Sequence, residues 1–148
     1  MVIFKSWNGV KFSHGVFNLE YELNLPWPPS VNHCWLHLNW RNSRSVILTK
    51  NGKLFRALVE RLIREKRDNG EIPEQPLDGA LEVKMKLYPP DKRRRDIDNY
   101  SKAVFDALTH GGFWKDDSQV VRQIIEKHNP VRGGKVEIYV TGTQFFLE

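Results

Sequence analysis

Leu81, Val83, Met85 and Leu87 alternate without a break with Glu82, Lys84, Lys86 and Tyr88. Successive side chains of an extended chain point to opposite faces. This segment therefore predicts a strand with one face in a core and the other in solvent. Leu19, Tyr21, Leu23 and Leu25 repeat the pattern from Asn18 onward. Between the two strands, Leu54, Phe55, Leu58, Val59, Leu62 and Ile63 recur at helical spacing. They predict an amphipathic helix ending near Arg67, closed by Asp68-Asn69-Gly70. Its remaining face, with Lys53, Arg56, Glu60, Arg61, Arg64, Glu65 and Lys66, reads as solvated charge.

The other elements follow from the same rules. Ile97, Tyr100, Val104 and Leu108 predict a second helix from about Ile97 to Thr109. Gln119 to Lys127 and the alternating Val136, Ile138 and Val140 predict two last strands, joined as an antiparallel hairpin. Ser45 to Thr49 reads as a short strand, with Asn51-Gly52 as a turn after it. Pro26-Trp27-Pro28-Pro29-Ser30-Val31-Asn32 reads as a stiff, extended loop. A sheet with two helices on one face is the economical way to bury these stripes. The expected class is α/β (α+β), one domain with a mixed β-sheet backed by two helices. Residues 17–148 form that domain. Residues 1–16 read as an N-terminal extension, with Asn8-Gly9 as a hairpin turn.

Length and composition set bounds. A chain of 148 residues supports one core. A net charge of +5 and a pI near 9.4 favour an acidic polymer as partner. The single cysteine, Cys34, excludes an intrachain disulfide and fits a reducing cytoplasm. No apolar run reaches the length of a membrane span, and no signal-peptide core is visible, so no membrane association is expected.

The chemistry concentrates in Lys92-Arg93-Arg94-Arg95-Asp96-Ile97-Asp98-Asn99-Tyr100-Ser101-Lys102. Arginines bind phosphate, and carboxylates bind hard cations such as Mg²⁺. Lys102 stands four residues after Asp98, one helical turn away. Downstream, Asp116-Asp117 follows Gly111-Gly112-Phe113-Trp114-Lys115, in which Phe113-Trp114 is expected to be buried and to hold the acidic pair in place. Asp96 at an N-cap and Asp98 in a first turn are also ordinary helix capping, worth about 0.5–2 kcal/mol. A third carboxylate shifts that balance. Two carboxylates about 4 Å apart repel by roughly 4 kcal/mol at an effective dielectric of 20, which a divalent cation offsets and a helix dipole does not. Spacing alone does not choose between Asp116 and Asp117.

His33, Trp35, His37, Trp40, Arg41 and Arg44 interleave aromatics with cations, a pattern suited to nucleic acid. Trp27 and Asn32 are candidate DNA contacts in the proline-rich loop. His33 and His37 lack a third zinc ligand nearby.

Four stretches together resemble the RusA family of Holliday junction resolvases. They are Pro26-Trp27-Pro28-Pro29-Ser30, Arg93-Arg94-Arg95-Asp96-Ile97-Asp98-Asn99, Lys102-Ala103-Val104-Phe105-Asp106-Ala107-Leu108, and Gly112-Phe113-Trp114-Lys115-Asp116-Asp117-Ser118-Gln119-Val120. The resemblance runs from about Leu19 to Gly142. It implies a Mg²⁺-dependent endodeoxyribonuclease, with Mn²⁺ able to substitute, acting in recombination and repair in a bacterium, phage or prophage. It implies a homodimer that nicks four-way DNA junctions symmetrically. It maps Asp96, Asp98 and Asp117 as catalytic metal ligands and Lys102 as the catalytic lysine. Lys92, Arg93, Arg94 and Arg95 are then expected on flanking phosphates. The first fifteen or so residues and the segment Leu36 to Lys50 depart from the family pattern. The competing readings are a branched-DNA-binding protein without cleavage, a Mg²⁺-dependent transferase acting on a nucleotide-linked substrate, and a basic structural protein.

Overall fold

The computed structural model describes residues 10–13 and 16–145. The Asn8-Gly9 turn lies outside the described residues. The element order is β1 (Val10–Ser13), β2 (Val16–Pro26), α1 (Val31–Cys34), β3 (Trp35–Trp40), β4 (Ser43–Leu48), α2 (Lys50–Asp68), β5 (Leu81–Tyr88), α3 (Ser101–His110), β6 (Val120–Lys127) and β7 (Lys135–Phe145). Two 3-10 turns, Ile97–Asn99 and Asp117–Gln119, flank α3.

Five strands form one mixed sheet in the order β1-β2-β7-β5-β6. β1 pairs antiparallel with β2, so residues 10–13 of the expected extension form an edge of the sheet. β5 pairs antiparallel with β7 and parallel with β6. The expected β6–β7 hairpin does not form, because β5 lies between them. Both strands carry branched side chains, and periodicity gives a strand's faces without naming its neighbours.

The alternation in β5 maps one-to-one onto burial. Leu81, Val83, Met85 and Leu87 are buried, and Glu82 and Lys84 are exposed. Tyr21, Leu23 and Leu25 of β2 and Val136, Ile138 and Val140 of β7 complete the buried face. Phe55, Val59 and Ile63 of α2 and Val104, Ala107 and Leu108 of α3 cover it, with Phe113 and Trp114 at the far end of α3.

Four further expectations change. α2 begins at Lys50, so Asn51-Gly52 is helical rather than a turn. Thr49 caps it by accepting a 3.1 Å hydrogen bond from the Gly52 amide. Leu54 and Leu58 face outward, lining a groove with Trp27, Pro28, Pro29, Asn51 and Phe55. The helix expected from Ile97 is split. A 3-10 turn ends at Tyr100, whose φ of −118° departs from helical values, and the α-helix starts at Ser101. The proline-rich loop is also shorter than expected, because Val31 opens α1.

β3 and β4 form a separate two-stranded ribbon, with Trp40 opposite Ser43 across a two-residue turn. Arg41 and Asn42 both have positive φ there, 39° and 64°. That is the backbone a tight hairpin demands. Asn-Gly is its usual signal, and Arg-Asn does not advertise it.

Candidate active site

All four carboxylates and the lysine of the candidate site lie in the crossover between the parallel strands β5 and β6. Pro89-Pro90 ends β5, and the chain passes through the basic run to the first acidic turn. Asp91 organises this approach. Its carboxylate accepts a 2.6 Å hydrogen bond from Arg95 and a 2.9 Å bond from the Arg93 amide. The Arg95 bond, then the Arg93 amide, pull its pKa down to about 2. Arg95 is thereby tied down, half-buried, with its guanidinium 5.8 Å from the centre of the Trp27 ring. Trp27 also packs on Tyr100 at 4.8 Å, pinning the start of α3. Lys92, Arg93 and Arg94 remain exposed, as does Asn32.

Asp96 and Asp98 are exposed on the 3-10 turn, and Asp96 caps it without a side-chain hydrogen bond. At the other end of α3, Phe113 and Trp114 are buried, as the sequence predicts. The Trp114 Nε1 donates to Thr109 Oγ1 at 2.7 Å. The Leu77 amide donates to Phe113 O at 2.9 Å, and the Lys115 amide to Leu77 O at 3.2 Å. Gln119 Nε2 donates to Leu77 O and Gly79 O, at 3.0 and 2.9 Å. The second acidic turn is therefore clamped against the segment that leads into β5.

This clamp separates the two members of the acidic pair. Asp116 forms a capping box. It accepts from the Ser118 amide at 3.1 Å, and its own amide donates to Gln119 Oε1 at 2.8 Å. The Ser118 side chain, then the Ser118 amide, hold its carboxyl below the usual range. Asp117 takes no such duty. Among the described residues, no side chain donates a hydrogen bond or ion pair to Asp96, Asp98 or Asp117.

Lys102 does not meet Asp98 in an ion pair. Its ammonium lies 3.9 Å from Asp106, one turn later on α3, and 5.2 Å from the centre of the Trp35 ring. Burial pushes the Asp106 carboxyl up. Lys102 opposes that, Asp117 reinforces it, and Arg56 opposes it. Asp106 thus stands within electrostatic reach of Lys102, Asp117 and Arg56. The sequence reading assigned no role to Asp106 and placed Arg56 on the solvated face. Yet the Arg56 Nε is buried and has no hydrogen-bond partner. Its place beside Phe55, at the border of the apolar stripe, is the signal that was available.

The two acidic turns flank α3 in the chain: the first contacts β6, and the second contacts α3 and leads into β6. Asp117 precedes Val120, which pairs with Leu81 at the start of β5. Arg95, next to Asp96, accepts through its carbonyl a 3.1 Å bond from Lys127 at the end of β6. No three His, Cys, Asp or Glu side chains among the described residues come together as a metal cage. The donor chemistry still fits a hard cation: three carboxylates supply oxygen and have no protein cation to neutralise them.

Comparison with known proteins decides the family. The family model "Endodeoxyribonuclease RusA" matches residues 26–141. The chain belongs to the RusA family. It is 37% identical over 121 residues to the crossover junction endodeoxyribonuclease RusA of Enterobacteria phage 82, covering 82% of this chain and 93% of the relative. It is 38% identical over 121 residues, with the same coverage, to the crossover junction endodeoxyribonucleases RusA of Shigella sonnei and of Escherichia coli strain K12. The RusA match spans the proline-rich loop, the ribbon, α1, α2 and the whole β5–β6 crossover with α3.

Proposed function

We propose that this RusA-family chain is a structure-selective DNA endonuclease that resolves Holliday junctions by paired, symmetric nicks, in recombination and repair. The observation that carries the reading is a set of three carboxylates without protein partners, Asp96, Asp98 and Asp117, in the same crossover as Lys102. These carboxylates would hold Mg²⁺, or Mn²⁺ in its place. Such an ion polarises the scissile phosphate and lowers the pKa of an attacking water.

The chain's own groups do the rest. Lys102, bracketed by Asp106 and Trp35, presents a fixed positive charge to the oxygens of the phosphate under attack. Lys92, Arg93 and Arg94 are exposed, Arg93 with one 3.8 Å ion pair to Asp91, and contact flanking phosphates, which adds affinity without sequence information. Arg95 and Trp27 contribute by fixing the shape of the basic loop, because each is already engaged with the other. A homodimer supplies two such sites about a two-fold axis, as symmetric cleavage of a four-way junction requires. No helix among the described residues is long and apolar enough to cross a membrane. The proposed setting is the cytoplasm of a bacterial host.

The test compares wild type with Asp98→Asn on a synthetic four-way junction and on linear duplex, in Mg²⁺ and in EDTA. The expected result is paired nicks in the junction alone, only with Mg²⁺, and a variant that binds without cutting. Junction binding by wild type without cleavage under any divalent metal would leave a binding protein in place of a nuclease.

A further inference from the structure

The β3–β4 ribbon is the part of the chain that the crossover chemistry does not use. Every residue from Leu36 to Ile47 is exposed. Leu36, Leu38 and Trp40 alternate onto one face of β3, and Ile47 lies opposite Leu36. A two-stranded ribbon with an apolar face in water is marginal by itself, so this face calls for an occupant.

Charge identifies the occupant. From Trp35 to Leu48 the ribbon carries Arg41, Arg44 and His37 and no acidic residue at all. Both arginines lie at the tip, on either side of the Asn42-Ser43 pair. Trp40, the last paired residue of β3, is 73% exposed. The Arg41 guanidinium lies 5.7 Å from the centre of its ring, which leaves most of the indole open to solvent. An exposed aromatic plane flanked by cations is the arrangement that stacks on a base while holding the adjacent phosphates.

Position supports the same occupant. The root of the ribbon is Trp35, whose ring receives the Lys102 ammonium. The root is further fixed by Thr49, whose hydroxyl donates to His33 O at 2.6 Å. Five strand steps at about 3.3 Å carry the tip about 17 Å along the ribbon, roughly five base-pair rises. The ribbon is thus an arm that starts at the cleavage chemistry and ends in an exposed indole.

We propose that Trp40, supported by Arg41 and Arg44, stacks on an unstacked base at the branch point of the junction and so reads branched over linear DNA. A duplex interior offers no free base face. A branch point does, and opening a step there costs the least. This rests on the junction-resolvase reading and adds to it the element that recognises the branch.

The experiment places 2-aminopurine either at the branch point or within an arm of a four-way junction. It uses wild type, Trp40→Ala and Trp40→Phe in EDTA, so that no cleavage intervenes. Wild type should change the reporter's fluorescence at the branch point and not in the arm. Trp40→Ala should abolish that change and weaken junction binding about tenfold, the scale of one lost base–aromatic stack, with little effect on linear duplex. Trp40→Phe should restore most of both. If Trp40→Ala keeps the reporter change and the junction affinity, the proposal is wrong. If instead Trp40→Ala turns a sedimenting dimer into a monomer, the apolar face joins two copies of the chain and the proposal is overturned. A wild type that binds junction no better than duplex refutes the resolvase reading itself, before any variant is compared.

Discussion

At the scale of single residues, the helix phase decides who meets whom. Simple i, i+4 counting pairs Asp98 with Lys102. The 3-10 turn and the non-helical Tyr100 take Asp98 off the lattice of α3, and Lys102 pairs with Asp106 instead. Asp106 is disfavoured as an anion by burial and by Asp117, so its pKa is raised. A carboxyl with a raised folded pKa gives stability that is present below its unfolded value near 3.9 and lost as pH rises through the folded value. At neutral pH the metal-free protein carries that cost. Asp106→Asn should therefore leave the melting temperature unchanged or raise it, while junction cleavage falls about tenfold because Lys102 loses its carboxylate. Melting and single-turnover cleavage on the same preparation check both halves. Asp116 should behave in the opposite way. Asp116→Ala removes a cap and should lower the urea unfolding midpoint, while leaving the catalytic groups intact.

At the scale of elements, the site depends on how α2 and the ribbon meet. Gly52 lies in the first turn of α2. A Cβ there would stand 2.7 Å from the Cys34 carbonyl oxygen and 2.9 Å from Leu48 Cγ. The close approach joins the end of α1, the end of β4 and the start of α2. Gly52→Ala should gain helix propensity of about 1 kcal/mol and lose more than that to overpacking, for a net destabilisation of about 1–2 kcal/mol. Urea unfolding measures the net. Asn51-Gly52 reads as a turn in the sequence because glycine there is a local signal. Its actual role is a tertiary contact, which no local rule contains.

At the scale of the molecule, the basic charge is divided between half-buried structural cations and exposed ones. Arg95 is bound to Asp91 and Trp27, and Arg67 donates to Pro73 O and Gly112 O, so both have structural duties. Arg94 is exposed, and Arg93 is 85% exposed with only a 3.8 Å ion pair to Asp91. Each phosphate contact contributes about −0.9 to the slope of log K against log salt. Arg93→Ala with Arg94→Ala should therefore flatten the slope of junction binding by about 2, whereas charge-neutral surface changes on α2 should not. Binding titrations between about 50 and 200 mM salt read this directly.

The sequence by itself determined the strands β2, β5 and β7, the amphipathic helix and the burial of Phe113-Trp114. Each of these is written in local periodicity or in a run of large apolar side chains. It also determined the family motifs, because they are linear. Only the tertiary structure decided that β5 separates β6 from β7, since strand neighbours are chosen by long-range pairing. It alone joined Lys102 to Asp106 and Trp35, and gave Asp116 a capping duty that Asp117 does not share. It also clamped the second acidic turn against the segment leading into β5. Those outcomes follow from hydrogen bonds and packing between segments far apart in the chain, such as Gln119 with Leu77 and Arg95 with Lys127.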